Sequence, residues 1–563
     1  MASETESRAG SFRRRHGTPR SSGPPRRRSI APRRARATPS RQSDAVLATS
    51  HRRAGLLLHP TCLPNDFPIG DLGPAAHELL DWTTACGLSV WQVLPLGPTG
   101  FADSPYGAQS SFAGNPLLIS PEALVAYGLL AKGDIEAPKV DDPGRTAFQK
   151  AKEFKQRLHR RVWGQLSASP DSSLSLQWKS FASDPSVRPW LDDWVLFAAL
   201  KEKFDGRSWL DWEADLRDRK RGALESARRE LAFEVEFHAF EQYLFFRQWA
   251  ALRAAAEARG IELVGDLPFY PALDSADVWS HRRLFLLGRD GRPLKVAGVP
   301  PDYFSATGQL WGNPLYRWEA HAPGVFAWWA ERVRWQLRLV HRLRLDHFRG
   351  FVAYWEVPAG AKTAAPGRWH QGPGQAFFDA LAAALGSSTR RLPLLAEDLG
   401  EIDEPVHRLR RRLGLAGMRV LQFGFSEDDS LHAPHRHPPD SVVYTGTHDN
   451  DTSRGWISSA PEEVKRRALA YLGATEDGFA PAMVRAALTS PAALAVVPLQ
   501  DLLGLGTEAR MNTPARESGN WTWRVKREQV SEDLPARLRA LVLAASRTPP
   551  APPPPVATPA SNG

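Results

Sequence analysis

In Leu343-Arg344-Leu345-Asp346-His347-Phe348-Arg349-Gly350 a short strand-like run gives way to an acid. Upstream of it Phe326, Trp329, Val333, Leu337 and Val340 recur at intervals of 3, 4, 4 and 3, the spacing of one helix face. A helix followed by a short apolar strand is the repeating unit of a parallel α/β fold. The unit recurs along the chain. Strand-like runs lie at 55–60, 89–96, 261–269, 343–348, 392–399, 418–425, 441–449 and 494–499. Residues 231–259 form a helical pattern through Phe233, Phe237, Phe240 and Leu244, with Gly260 where a C-terminal cap belongs. Trp328, Trp329 and Trp335 fall in amphipathic helical patterns and read as core. Eight strands alternating with helices predict an α/β fold, the closed (β/α)8 TIM barrel. The chain exceeds the usual barrel length, so 51–546 is expected to hold the catalytic barrel with inserted subdomains at 97–260 and 270–342, after strands two and three.

Polar residues gather at the C-terminal ends of these runs: Asp266, Asp346, Glu397, Asp449, Gln500 and Asp501. That end of a barrel is where active sites lie. Neither GxGxxG nor GxxxxGK[ST] occurs, which argues against a nucleotide-binding doubly wound sheet. Three acids stand out, in RLDHFRG (344–350), AEDLG (396–400) and GTHDND (446–451), with Asp346, Glu397 and Asp449 spaced 51 and 52 residues apart. Cleavage of a glycosidic bond needs one protonated carboxyl for the leaving oxygen and one ionised carboxylate at the anomeric carbon. A third carboxylate can raise the acid's pKa and hold sugar hydroxyls. Arg344 lies two residues before Asp346, on the same face of a strand, and is expected to keep that carboxylate ionised. A single Asp at a strand end is more often a helix cap. Three acids set among apolar residues, with Arg, His or Asn beside them, are harder to explain as caps, because buried charge is seldom kept without a partner or a function.

The 563 residues carry a net charge of +10, and its location matters more than its size. Residues 1–41 hold twelve Arg against Glu4 and Glu6, so the rest of the chain is formally neutral. A basic tail on a neutral body argues against a groove that tracks phosphates, so no nucleic-acid partner is expected. Residues 1–50 and 547–563 are rich in Arg, Pro, Ser and Ala and read as disordered tails. The first also has the composition of a transit peptide or of an anion-binding arm. Cys62 and Cys86 are too few for a disulfide framework or a four-ligand zinc site, and fit a reducing, cytoplasmic compartment, or a plastid if the Arg-rich start is a transit peptide. No apolar stretch approaches the roughly 20 residues of a transmembrane helix, so no membrane association is expected. His59 and His281 read as structural histidines.

RLDHFRG, AEDLG and GTHDND resemble the catalytic motifs of the amylomaltase or disproportionating-enzyme family, glycoside hydrolase family 77. GLLLHPTCLP (55–64), GDLG (70–73), SVWQVLPLGPT (89–99), DSPY (103–106), SSFAGNPLLIS (110–120), GDLPFYPALDSADVW (265–279), GVPPDYFSATGQLWGNPLY (298–316), RMNTP (510–514) and GNWTWR (519–524) resemble its other segments in order. The resemblance implies a 4-α-glucanotransferase that moves segments of maltodextrin, starch- or glycogen-derived α-1,4-glucan to glucose or another glucan, with no cofactor and no metal. It implies Asp346 as nucleophile, Glu397 as acid and base, and Asp449 as transition-state stabiliser. Arg344, His347 and His448 would shape the sugar site at the cleavage point, Tyr106 would offer a stacking ring beside it, and Asp266 is expected among the substrate-binding residues. Tyr303, Phe304, Gln309, Trp311 and Asn313 would belong to a capping loop. Ala515 stands where glycine is frequent in the family.

Overall fold

The computed structural model describes residues 51–169, 171–301, 306–516 and 518–547. The expectations for residues 1–50 and 548–563, and those for Tyr303 and Phe304, lie outside the described residues.

Among the described residues twelve strands run in chain order: β1 (Arg53–Leu57), β2 (Val90–Gln92), β3 (Glu262–Leu267), β4 (Lys295–Val299), β5 (Gln309–Pro314), β6 (Arg342–Leu345), β7 (Ala353–Pro358), β8 (Arg368–Gln371), β9 (Leu394–Ala396), β10 (Ala416–Val420), β11 (Ser441–Tyr444) and β12 (Leu494–Pro498). Eight close into a barrel in the order β1-β12-β11-β10-β9-β6-β3-β2. Their pairings are parallel throughout. The expected α/β barrel is present, built from all eight strand-like runs.

The strands are short because only a few residues of each run stay in the ladder. The run at 418–425 leaves the sheet after Val420, and Leu421–Phe425 coils into a 3₁₀ turn. The run at 343–348 ends at Leu345, and Phe348–Phe351 is likewise a 3₁₀ turn. Those extra apolar residues cover the rim instead of lengthening the strand. The strands are buried on both faces, which is why they read as continuous apolar runs. The polar exceptions pair with one another inside the barrel. Tyr444 donates its hydroxyl to Gln92 Oε1 at 2.8 Å, and Arg344 pairs with Asp266.

Two long helices brace this barrel. Ala232–Ala258 precedes β3 and ends before Gly260, whose φ of +68° continues the chain where a side chain would strain. Phe237, Phe240 and Leu244 are buried on it, but Phe233, in the first turn and tilted against Trp163 at 5.9 Å, is exposed. Trp318–Leu339 precedes β6 and buries Trp328, Trp329 and Trp335.

Between β2 and β3 stand the helices Phe148–Ser167, Ser173–Ser183 and Arg188–Lys203. Between β3 and β6 stand β4 and β5. A third excursion, after β6, was not foreseen: β7 and β8 join β4 and β5 in a four-stranded sheet of order β5-β4-β7-β8. At the other end of the chain, Arg547 corrects the expectation of a tail from 547 onward. It is fully buried, and its guanidinium donates to the carbonyls of Arg53, Leu488, Ser490 and Ala492. No helix among the described residues is long and apolar enough to cross a membrane.

Candidate active site

The ends of β3, β6 and β9 and the loop after β11 bring the sequence-marked residues to one rim. Arg344, buried in β6, holds both oxygens of Asp266 through Nη1 at 2.9 and 2.7 Å, and the same nitrogen lies 2.9 Å from Asp346 Oδ1. Adjacent pairing of β3 with β6 sets Asp266 beside Arg344 in register, so the fold itself makes the ion pair. Tyr106 donates its hydroxyl to Asp266 Oδ2 at 2.8 Å and stacks on His448, centroids 5.0 Å apart. Burial and the neighbouring carboxylates raise the Tyr106 phenol, so it stays a neutral donor.

Glu397 follows β9 and accepts two backbone amides, His347 N–H at 2.7 Å and Leu399 N–H at 2.8 Å. The first is available because His347 takes a left-handed conformation, φ 50° and ψ 49°, that turns the chain sharply after Asp346. Burial holds the His347 imidazole neutral, pushing its pKa down to about 3. Its Nε2 is buried without a partner, and its ring meets Trp311 edge-on at 4.8 Å.

The two carboxyls differ in proton affinity. Burial, then the Asp346 charge, pushes Glu397 up to about 8 against the pull of Arg344 and the two amides. Burial pushes Asp346 up to about 6, with Asp266 and Asp449 adding to the push and Arg344 opposing it. Arg344 therefore lowers Asp346 without overcoming burial, because it is shared with Asp266. Asp346 is 29% exposed at the cleft, so water also favours its ionised form. The two groups titrate as a pair, and the order within it, Glu397 above Asp346, follows from the direct contact of Arg344 with Asp346 and from the Asp346 charge beside Glu397. At neutral pH the rim thus offers a protonated carboxyl beside an ionised one.

Asp449 follows β11. Its Oδ1 accepts from Asn512 Nδ2 at 2.6 Å and lies 3.3 Å from His448 Nε2, while Arg510 donates to its carbonyl at 2.6 Å. Asn512, Arg510 and Trp521 are site residues that the sequence reading quoted within motifs without singling out. Trp521 packs against both Tyr106 and His448 at 5.9 Å, with a φ of 63° that a bulky residue seldom adopts. Gln309, Trp311 and Asn313 lie on β5. Gln309 accepts from Trp311 Nε1 at 3.2 Å, and Asn313 donates to the Pro271 carbonyl at 2.9 Å. Gln500 and Asp501 do not join the rim cluster. Asp501 is buried and accepts from Thr445 Oγ1, Ser453 N and Ser453 Oγ, bracing the loop that carries Asp449, and Gln500 donates to the Ala509 carbonyl in the segment before Arg510.

Ala515 adopts φ 64°, a conformation that costs an L-residue about 1–2 kcal/mol and that glycine enters freely. Ala515→Gly is therefore expected to stabilise the protein by about 0.5 kcal/mol once glycine's extra unfolded-state entropy is subtracted. Denaturant unfolding with an unchanged slope and a raised midpoint checks it, and a lowered midpoint contradicts it.

The comparisons agree with one another. Residues 58–530 match the family described as 4-alpha-glucanotransferase. The 4-alpha-glucanotransferase of Thermus thermophilus is 45% identical over 515 residues, covering 88% of this chain and 99% of that one. The chloroplastic/amyloplastic 4-alpha-glucanotransferase of Solanum tuberosum is 43% identical over 496 residues, covering 87% and 85%. The amylomaltase from Streptococcus agalactiae in complex with acarbose superposes with a TM-score of 0.84 at 33% identity, covering 88% of this chain and all of that one. With a closed barrel, one carboxylate rim and these matches along nearly its whole described length, this chain belongs to the 4-α-glucanotransferase family.

Proposed function

We propose that Asp346 and Glu397 carry out the glucan transfer of this family by double displacement, with the donor an α-1,4-linked maltodextrin and the acceptor glucose or another glucan. The ionised Asp346 oxygen attacks the anomeric carbon while Glu397 gives its proton to the glycosidic oxygen, and the leaving sugar departs with a free 4-hydroxyl. A covalent glucosyl ester on Asp346 remains. An incoming 4-hydroxyl then loses its proton to Glu397 as its oxygen attacks the same carbon, and Asp346 leaves as carboxylate. Asp449, oriented by Asn512 and His448, would hold the ring hydroxyls as positive charge grows on the sugar. Tyr106, His347 and His448 would line the sugar unit at this point, and Gln309, Trp311, Asn313 and Tyr303 would belong to the capping segment. Cys62 and Cys86 are both free and buried, which favours a reducing compartment.

The observation that carries this reading is the geometry of the rim, where Asp346 contacts Arg344 and Glu397 is held by the amides of His347 and Leu399, with burial raising the Glu397 carboxyl. It predicts a bell-shaped kcat/KM profile. Below the lower limb Asp346 takes up a proton and cannot attack, and above the upper limb Glu397 has none to give. The limbs are expected near about 6 and about 8. A profile that keeps rising beyond pH 9 contradicts the assignment of Glu397. Incubation with pure maltotriose tests the reaction itself. A ladder of longer maltodextrins together with glucose supports transfer, whereas maltose and glucose alone mean that water is the acceptor.

A further inference from the structure

After Asp346 the chain aims two side chains, one just before and one within the short turn Phe348–Phe351, at two half-exposed tryptophans. His347, just before it, meets Trp311. Arg349, within it, lays its guanidinium 3.9 Å over the ring of Trp369. Trp369 lies on β8, an edge strand of the four-stranded sheet, and is 39% exposed. Its cross-strand partner Trp355 meets it edge-on at 5.2 Å and is fixed in turn by donating Nε1–H to the Ala364 carbonyl at 2.9 Å. Arg349 is fastened as well, donating to the carbonyl of Glu401 in the loop that follows Glu397. Its Nε is buried without a protein partner.

We propose that Trp369 is a remote platform for the α-1,4-glucan, taking glucose units beyond the one held at Asp346, with Arg349 as the residue that positions it. The inference rests on the transferase reading of the cleft. A large flat ring on an edge strand, covered on one face by a guanidinium and still 39% exposed, presents the kind of surface that the C–H face of a pyranose covers. The guanidinium is tied to the loops of both reacting carboxyls, so ring and cleft keep a fixed relation. A pre-set ring costs little ordering entropy when a chain lands on it. Trp369 would therefore select for longer donors and leave the chemistry at the rim alone.

The test compares maltoheptaose with maltotriose in one assay. Trp369→Leu keeps apolar bulk and loses the flat face. It is expected to lower the ratio of kcat/KM for maltoheptaose to that for maltotriose by about three- to tenfold, the worth of one aromatic contact. Trp369→Phe, which restores a ring, is expected to return the ratio to within about twofold of wild type. Arg349→Lys keeps the charge, loses the planar stack, and is expected to lower the same ratio by about two- to threefold. An equal loss on both substrates marks a structural role and overturns the proposal. So does an unmoved ratio in Trp369→Leu, or in Arg349→Lys should the leucine variant fail to fold. If the wild-type protein yields no ladder from maltotriose, the transferase reading falls and this inference with it. A wild-type ladder with an unmoved variant ratio removes the inference alone.

Discussion

Asp346→Asn is expected to lower kcat by about four orders of magnitude while leaving the fold intact. The loss, about 5.5 kcal/mol at 1.36 kcal/mol per tenfold, reflects removal of the only proposed covalent partner for the anomeric carbon. An amide cannot form the ester, and Asp266, which also pairs with Arg344, is buried. Folding survives because Arg344 keeps its two bonds to Asp266 and is not left as an unpaired buried cation. The substitution also removes the negative neighbour that helps to raise Glu397. In the variant Glu397 should titrate at lower pH, which carboxyl infrared difference spectra can follow. Near wild-type turnover, or an unfolded protein, contradicts this account.

Arg547→Ala is expected to destabilise the protein by about 2–4 kcal/mol without changing turnover per folded molecule. The guanidinium donates to Arg53 on β1, to Ala492 just before β12, and to Leu488 and Ser490 at the end of the helix Phe479–Thr489. Arg52 donates to two of these same carbonyls, and a cation suits the negative end of a helix. Removing Arg547 strips donors from several buried carbonyls at once. Part of that cost is returned, because burial and the neighbouring Arg52 push the Arg547 pKa down to about 9, a sign that its charge is held at some expense. Denaturant unfolding measures the change, and an unchanged midpoint would mean that water replaces the guanidinium at no cost.

Arg547 also marks one limit of what a sequence conveys. A lone arginine ahead of a Pro- and Ala-rich stretch carries no periodic signal, and only the fold reveals the carbonyls it serves. The eight barrel strands were legible because parallel strands are buried on both faces and cannot alternate. Their ends were not, since residues such as Leu421–Phe425 are equally apolar in a turn that caps the rim. The four-stranded sheet was hidden for a different reason. β4 pairs with β7 across more than fifty residues, and nothing local in either segment names its partner. At the site, Asp346, Glu397 and Asp449 stood out because strand-end acids among apolar residues are costly. The same logic mistook Asp501, whose cost is met by Thr445 and Ser453. Asn512 and Trp521 escaped because they lie in a loop whose relation to Asp449 and Tyr106 is purely spatial.

The proposed glucosyl ester on Asp346, with Glu397 serving proton transfer, should be trapped in Glu397→Gln supplied with α-maltosyl fluoride, whose fluoride leaves without a proton. The ester should form at an appreciable rate and persist, because no base remains to activate an acceptor. Intact-protein mass spectrometry should then show one maltosyl adduct per chain, and peptide mapping should locate it on Asp346. An adduct on Asp449 or elsewhere, or none while the wild-type protein consumes the same fluoride, would contradict the account.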